Sequence, residues 1–138
     1  MYFYVSEIKA QISKTMGKHN ETGKKGEDLA NDFLIGEGFE ILERNWRYGK
    51  AELDIIGMDG RTMVFVEVKT RSDDLFERPE DAVTTRKQRL LTQAAIGYMH
   101  KSGHDWAVRF DILGIILRGS HPPQITHLKD AFFLGLGE

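Results

Sequence analysis

Three ionisable residues, Asp54, Glu67 and Lys69, stand inside runs that otherwise read as buried strands: Glu52-Leu53-Asp54-Ile55-Ile56 and Val66-Glu67-Val68-Lys69-Thr70. A charge placed in such a run is costly unless it is paired or holds a metal. Two carboxylates that converge are the oxygen donors a Mg²⁺ or Mn²⁺ ion selects. A lysine beside them can orient or deprotonate a water, or stabilise charge on a phosphate. Acid, acid, lysine and metal together suit phosphodiester hydrolysis. Glu67-Val68-Lys69 alone more often marks a solvated strand face, so the weight falls on where the chain puts Asp54.

The elements that position these residues follow from periodicity and turn residues. A first helix is expected over residues 22–36, with Leu29, Ala30, Phe33 and Leu34 as its apolar stripe. Gly23 and Gly26 fall on the same side and would let it approach a sheet closely. Glu27 lies at the margin of the stripe, and Gly36 and Gly38 end the helix. Strands are expected over 39–47, 53–57 and 62–70, with Asp59-Gly60 as the two-residue loop of a hairpin. Residues 71–81, polar and containing Pro79, read as a loop. A second helix starts near Thr85, where Thr85 and Gln88 have capping-box spacing, and runs through Leu90, Leu91, Ala94, Ala95, Tyr98 and Met99 to Gly103. A fourth strand spans 106–117, and a short fifth 124–128. The order αβββαβ(β) predicts an α/β domain with a central mixed sheet flanked by helices and a parallel crossover before strand four. Residues 1–16 stand apart as an N-terminal extension, a loose segment or a short helix. Residues 17–138 form a single domain.

An Asp59-Gly60 loop places Met58 opposite Arg61, Asp54 opposite Phe65 and Glu52 opposite Glu67. Side chains alternate with period two. Glu52, Asp54, Phe65, Glu67 and Lys69 therefore share one face, and Leu53, Ile55, Val64, Val66 and Val68 the other. Asp54 and Glu67 become diagonal neighbours, roughly 7–8 Å apart at the backbone. Like charges that close repel, and without a cation one of them tends to hold a proton.

The pattern resembles the PD-(D/E)xK nuclease superfamily and, more closely, the YraN-like family of uncharacterised bacterial proteins, similar in fold to archaeal Holliday junction resolvases. The carriers are Gly23-Lys24-Lys25-Gly26-Glu27, Asn45-Trp46-Arg47, Glu52-Leu53-Asp54-Ile55-Ile56, Val64-Phe65-Val66-Glu67-Val68-Lys69-Thr70-Arg71 and Arg109-Phe110-Asp111. The resemblance implies a restriction-endonuclease-like αβββαβ core and a magnesium-dependent endonuclease acting on DNA, with branched or structured DNA as the substrate class. By it, Asp54 and Glu67 bind Mg²⁺ (or Mn²⁺) with the Val68 carbonyl, Lys69 positions the attacking water, and Glu27 completes the site from the helix. Read from the chain alone, Glu27 is a first-turn acid favoured by the helix dipole. Two further readings stay open: a nucleic-acid-binding module of this fold that cuts little, and a protein-interaction domain.

Around the site, Lys87 should lean toward the sheet from the first turn of the second helix, beside Gln88. Lys24, Arg47, Lys50 and Arg71 could add phosphate contacts, though each also reads as surface charge. Trp46 reads as a partly buried core residue or a base-stacking ring. Asp111 fits a structural pair with a neighbouring arginine. His100 and His104 are separated by Gly103 and form no zinc site.

The 138 residues suffice for one domain with a real core. With no cysteine, disulfides and thiolate metal sites are excluded. No apolar run approaches the roughly 18 residues that span a bilayer, and no secretory pattern opens the chain, so a cytoplasmic protein is expected. The net charge of −2 argues against a strongly basic nucleic-acid binder. It is compatible with a metal-assisted site, or with a homodimer that juxtaposes basic rims.

Overall fold

The computed structural model describes residues 12–72 and 83–132, with side chains from Glu21 onward. The elements are α1 (Ile12–Gly36), β1 (Glu40–Tyr48), β2 (Ala51–Asp59), β3 (Thr62–Arg71), α2 (Thr85–Ser102), β4 (Val108–Ile116) and β5 (Gln124–Phe132). The strands form one sheet in the order β1-β2-β3-β4-β5. Every neighbouring pair is antiparallel except β3–β4, which the α2 crossover joins in parallel. This is the α/β architecture with a restriction-endonuclease-like αβββαβ core that the sequence predicts, with β5 added beyond β4. The expected loop at 71–81 lies, from residue 73 on, outside the described residues.

Period-two alternation in the central strands builds two cores. On one face Ala30 and Leu34 of α1 pack with Ile55, Val64, Val66, Val68, Leu113 and Ile115. On the other, Leu91, Ala94, Ala95 and Tyr98 of α2 cover Leu53, Ile56, Met63, Phe65, Phe110 and Ile112. Each fully buried side chain of this kind is worth about 1.5–3 kcal/mol. No helix among the described residues is long and apolar enough to cross a membrane.

Helix α1 begins ten residues earlier than its apolar stripe suggests, at Ile12, and runs through positions 16 and 17. Its end is a Schellman motif. Gly38 takes φ 95, its N–H donates to the Ile35 carbonyl, and the Phe39 N–H reaches back to the Leu34 carbonyl. Phe39 and Leu34 then meet in the core. Gly26 does allow close approach: a Cβ there would collide with the Thr70 side chain of β3. Gly23 does not, since a Cβ there meets nothing. Helix α2 is capped by Thr84, whose side chain accepts from the Lys87 N–H at 3.2 Å, rather than by the expected Thr85–Gln88 box. Gln88 instead donates from Nε2 to the Val83 carbonyl at 3.1 Å and fixes the entry to the helix. Gly103 closes α2 at φ 74.

The β2–β3 hairpin moves the expected loop by one residue, which shifts the register by two. Asp59 pairs with Thr62, so the loop is Gly60-Arg61. Gly60, at φ 62, takes the first loop position, where a positive φ matches the strand twist. This leaves Asp59 in the strand to receive Arg109 at 3.0 Å. The loop stays even, so Asp54 and Glu67 keep a common face, now directly opposite rather than diagonal.

A buried polar network ties β4 to β5. Asp111, fully buried, accepts from Arg109 at 2.8 and 2.9 Å, pairs with His127 at 2.8 Å, and accepts from the Asp130 N–H at 3.0 Å. Burial pushes the Asp111 carboxyl up, but these hydrogen bonds outweigh it and hold the group below 3.8. The structural arginine pair expected for Asp111 is therefore present, with more partners than the sequence suggested.

Candidate active site

Pairing between β2 and β3 stops at Ile55–Val66. Past that point the Asp54 carboxylate replaces the ladder, accepting the Val68 N–H at 2.8 Å. Opposite Asp54 on β1, Asn45 adopts a left-handed φ of 54. The alternation breaks here: Leu53 joins the α2-side core while Ile55 remains on the α1 side. The expectation that Leu53 and Ile55 share a face therefore fails, because the local twist turns Asp54 into the gap between the strands.

The gap opens into a cleft of about 400 Å³ lined by Lys50, Glu52, Asp54, Glu67, Arg86 and Lys87, floored by Ala51 and Leu91. Glu67 is 5% exposed and Lys69 4% exposed, so both ionisable side chains are buried in β3. Lys87, leaning in from α2 as its helical position predicts, places Nζ 2.5 Å from Glu67 Oε2. Glu27 and Lys69 do not line the cleft, but Glu27 acts on Asp54 electrostatically, and Asp54 acts on Lys69.

Burial and then the nearby Glu67 push the Asp54 carboxyl well above 3.8, against the pull of the Val68 N–H. Glu27 is raised by burial and then by Glu52, partly opposed by a hydrogen bond from the Asn45 side chain. Burial, with Lys87 close by, pushes Lys69 down to about 5. The burial of Lys69 thus favours its neutral amine form.

This donor set fits a hard divalent cation in its chemistry. The carboxylates are all-oxygen donors, and Asp54 is crowded by negative charge that a cation would relieve. Among the described residues no three acidic or histidine side chains lie close enough to ligate one ion as they stand. The Lys87 ammonium rests on Glu67 in that arrangement.

A family model described as "Uncharacterised protein family UPF0102" matches residues 26–115, a span that includes Glu27, Asp54, Glu67, Lys69 and Lys87. The chain belongs to this family. A UPF0102 protein of Christiangramia forsetii is 46% identical over 118 residues, 86% of this chain and 98% of the relative. One of Geotalea daltonii is 49% identical over 113 residues, 81% of this chain and 89% of the relative. One of Chlorobium chlorochromatii is 43% identical over 119 residues, covering 83% and 92%. This bears out the resemblance to uncharacterised YraN-like proteins.

Of the phosphate-binding candidates, the structure brings Lys87 and Lys50 to the cleft, but not the others. Gln88 holds the α2 entry, Lys24 is exposed and pairs with Asp28 at 3.4 Å, Arg47 is exposed on edge strand β1, and Arg71 ends β3 beyond Lys69. Trp46 packs edge-on against Tyr98 at 5.1 Å, on the core side. His104 bonds the Ala107 carbonyl at 2.8 Å. The residue that sequence reasoning missed is Asn45. Its signal was an Asn inside a strand run, one of the few non-glycine types that tolerate a positive φ.

Proposed function

We propose that this UPF0102 chain is a metal-dependent endonuclease that hydrolyses phosphodiester bonds of nucleic acid, DNA in the first instance. One observation carries the reading: Asp54 and Glu67 line one cleft, and Lys69 is buried two residues beyond Glu67 on the same strand. Asp54, Glu67 and the Val68 carbonyl would hold a Mg²⁺ or Mn²⁺ ion, with Glu27 behind them. Bound there, the ion would supply charge neutralisation at the phosphate and an acidified water. Lys69 Nζ, whose neutral form burial favours, is suited to orient that water and accept its proton. Lys50, Arg86 and Lys87 line the cleft as cations for the phosphate backbone.

The Lys87–Glu67 pair favours a second reading, a nucleic-acid-binding module in which that lysine permanently neutralises the acid. A cleavage assay with Mg²⁺ or Mn²⁺ separates the two. Wild type, Glu67→Ala and Lys69→Ala are incubated with duplex, single-stranded, flap and four-way DNA and with RNA. The nuclease reading expects cutting by wild type alone. Cutting that survives both substitutions, or binding without cutting on every substrate, sinks it.

A further inference from the structure

The end of strand β1 and the turn after it read Trp46-Arg47-Tyr48-Gly49-Lys50, a run that mixes rings and cations. Tyr48 is 48% exposed, unusual for a large ring beside a cleft. Its ring is stacked with that of Trp46, 5.8 Å away and 21° from parallel. Trp46 in turn is held edge-on by Tyr98 at 5.1 Å. Helix α2 comes so close that a Cβ at Gly97 would run into the Tyr48 ring. The two rings are therefore fixed in place while one of them stays open to solvent. A ring already fixed loses little entropy when a ligand covers it.

The position of this surface gives it a ligand. Tyr48 pairs with Ala51 across the hairpin tip, and Lys50 and Ala51 line the cleft that holds Asp54 and Glu67. Only two residues, about 7 Å of chain, separate Tyr48 from Lys50. Rings interleaved with cations along a groove are how single-stranded nucleic acid is held, because every base has a π-face and every phosphate a charge. A base within an intact duplex has both faces covered by its neighbours and offers none to a protein ring.

We propose that the Trp46–Tyr48 pair is a stacking platform for an unpaired base next to the bond in the cleft, so that the substrate is single-stranded or splayed at that point. The proposal rests on the reading that nucleic acid occupies the cleft. Lys50, which lines the cleft, contacts the phosphate beside the stacked base. The platform makes no contact with the reacting atoms; it selects the substrate.

The test is binding in EDTA, which keeps chemistry out of the measurement. Fluorescence anisotropy compares a labelled single strand, a flap and a blunt duplex of equal length, using the full chain. Wild type is expected to bind the single strand and flap more tightly than the duplex. Tyr48→Leu keeps an apolar group against Gly97 but cannot stack. It should weaken single-strand and flap binding about tenfold and leave duplex binding unchanged. Tyr48→Phe should bind as wild type. Equal binding by Tyr48→Leu, an equal loss on all three substrates, or a wild-type preference for duplex overturns the platform while the nuclease reading stands. Wild type that binds none of the three also overturns the platform, and the nuclease reading is then decided by the cleavage assay alone.

Discussion

The backbone N–H of Val68 donates to Asp54 Oδ2 at 2.8 Å, at the point where β2 and β3 cease to pair. One strand of the sheet is thus held by a side chain in place of a carbonyl, and that side chain is crowded by Glu67. Because the folded state raises Asp54 above 3.8, it retains a proton the unfolded chain gives up near that pH. The resulting stability is complete below 3.8 and lost as pH rises through the folded value. In metal-free protein, Asp54→Asn should therefore melt above wild type at neutral pH and match it in acid. Thermal melts across pH with EDTA check this, and a variant that melts lower at every pH contradicts it.

Divalent cation should reverse that order. Mg²⁺ or Mn²⁺ at one hundred times its Kd stabilises wild type by about 2.7 kcal/mol, and chelation removes the gain. Asp54→Asn should show no such rise. Binding should also release protons, since Asp54 and Glu27 are raised without metal. Titration calorimetry in two buffers of different ionisation enthalpy measures that release directly.

Asn45 is separable from the fold. Glycine accepts φ 54 without strain, so Asn45→Gly should leave stability unchanged or raise it by no more than about 1 kcal/mol. It removes the hydrogen bond that restrains Glu27. Cation affinity and cleavage should fall roughly 10–100-fold, the usual effect of losing a residue that orients a ligand. Asn45→Ala should lose both activity and about 1 kcal/mol of stability. Equal activity of Asn45→Gly and wild type would remove Asn45 from the site.

Lys69 should be a residue kept at the expense of stability. Its folded value of about 5 lies far below 10.5, so between those values the unfolded chain binds a proton the fold refuses. Wild-type stability therefore climbs with pH across that window. Lys69→Met, which has nothing to titrate, should be more stable at pH 7 by on the order of 1–2 kcal/mol, with the difference closing toward pH 10.5. The variant should be inactive. Urea unfolding from pH 6 to 10 reads the slope, and a variant that tracks wild type in parallel refutes the buried amine.

Asp111 carries stability away from the cleft. Its folded value lies below 3.8, so its contribution is present above that pH and lost as pH falls through the folded value. Asp111→Asn should cost about 3 kcal/mol at pH 7, because Arg109 and His127 lose a shared buried partner. The gap between urea midpoints should narrow below pH 3.8. Cation affinity in the cleft should not change, and a change there would mean the two sites communicate.

The fold was legible wherever one physical rule acted alone. Alternation in β3 separated Val64, Val66 and Val68 from Phe65, Glu67 and Lys69, and helical spacing aimed Lys87 at the sheet. It failed where two local choices were close in energy and a distant contact decided. Asp59-Gly60 and Gly60-Arg61 are both even loops with glycine inside, and the pairing of Asp59 with Arg109 goes with the second. Thr84 and Thr85 can each cap α2, and Thr84 is the one observed. The break in alternation at Asp54 could not be read locally at all. It involves the left-handed turn of Asn45 on one neighbouring strand and the Val68 N–H on the other. The acids and lysine of the cleft were visible as charge in an apolar run, whereas the groups that aim them were not.

The five residue pairs between Ile55–Asp59 and Thr62–Val66 are the only backbone ladder joining β1–β2 to β3–β4–β5 among the described residues. Mechanically the sheet is two leaves bound along a short spine, with the acids at the free margin. Both apolar layers cross that spine, Leu53 and Ile56 with Phe65 and Phe110 on one face and Ile55 with Val64 and Leu113 on the other, so side-chain packing clamps the leaves where the backbone does not.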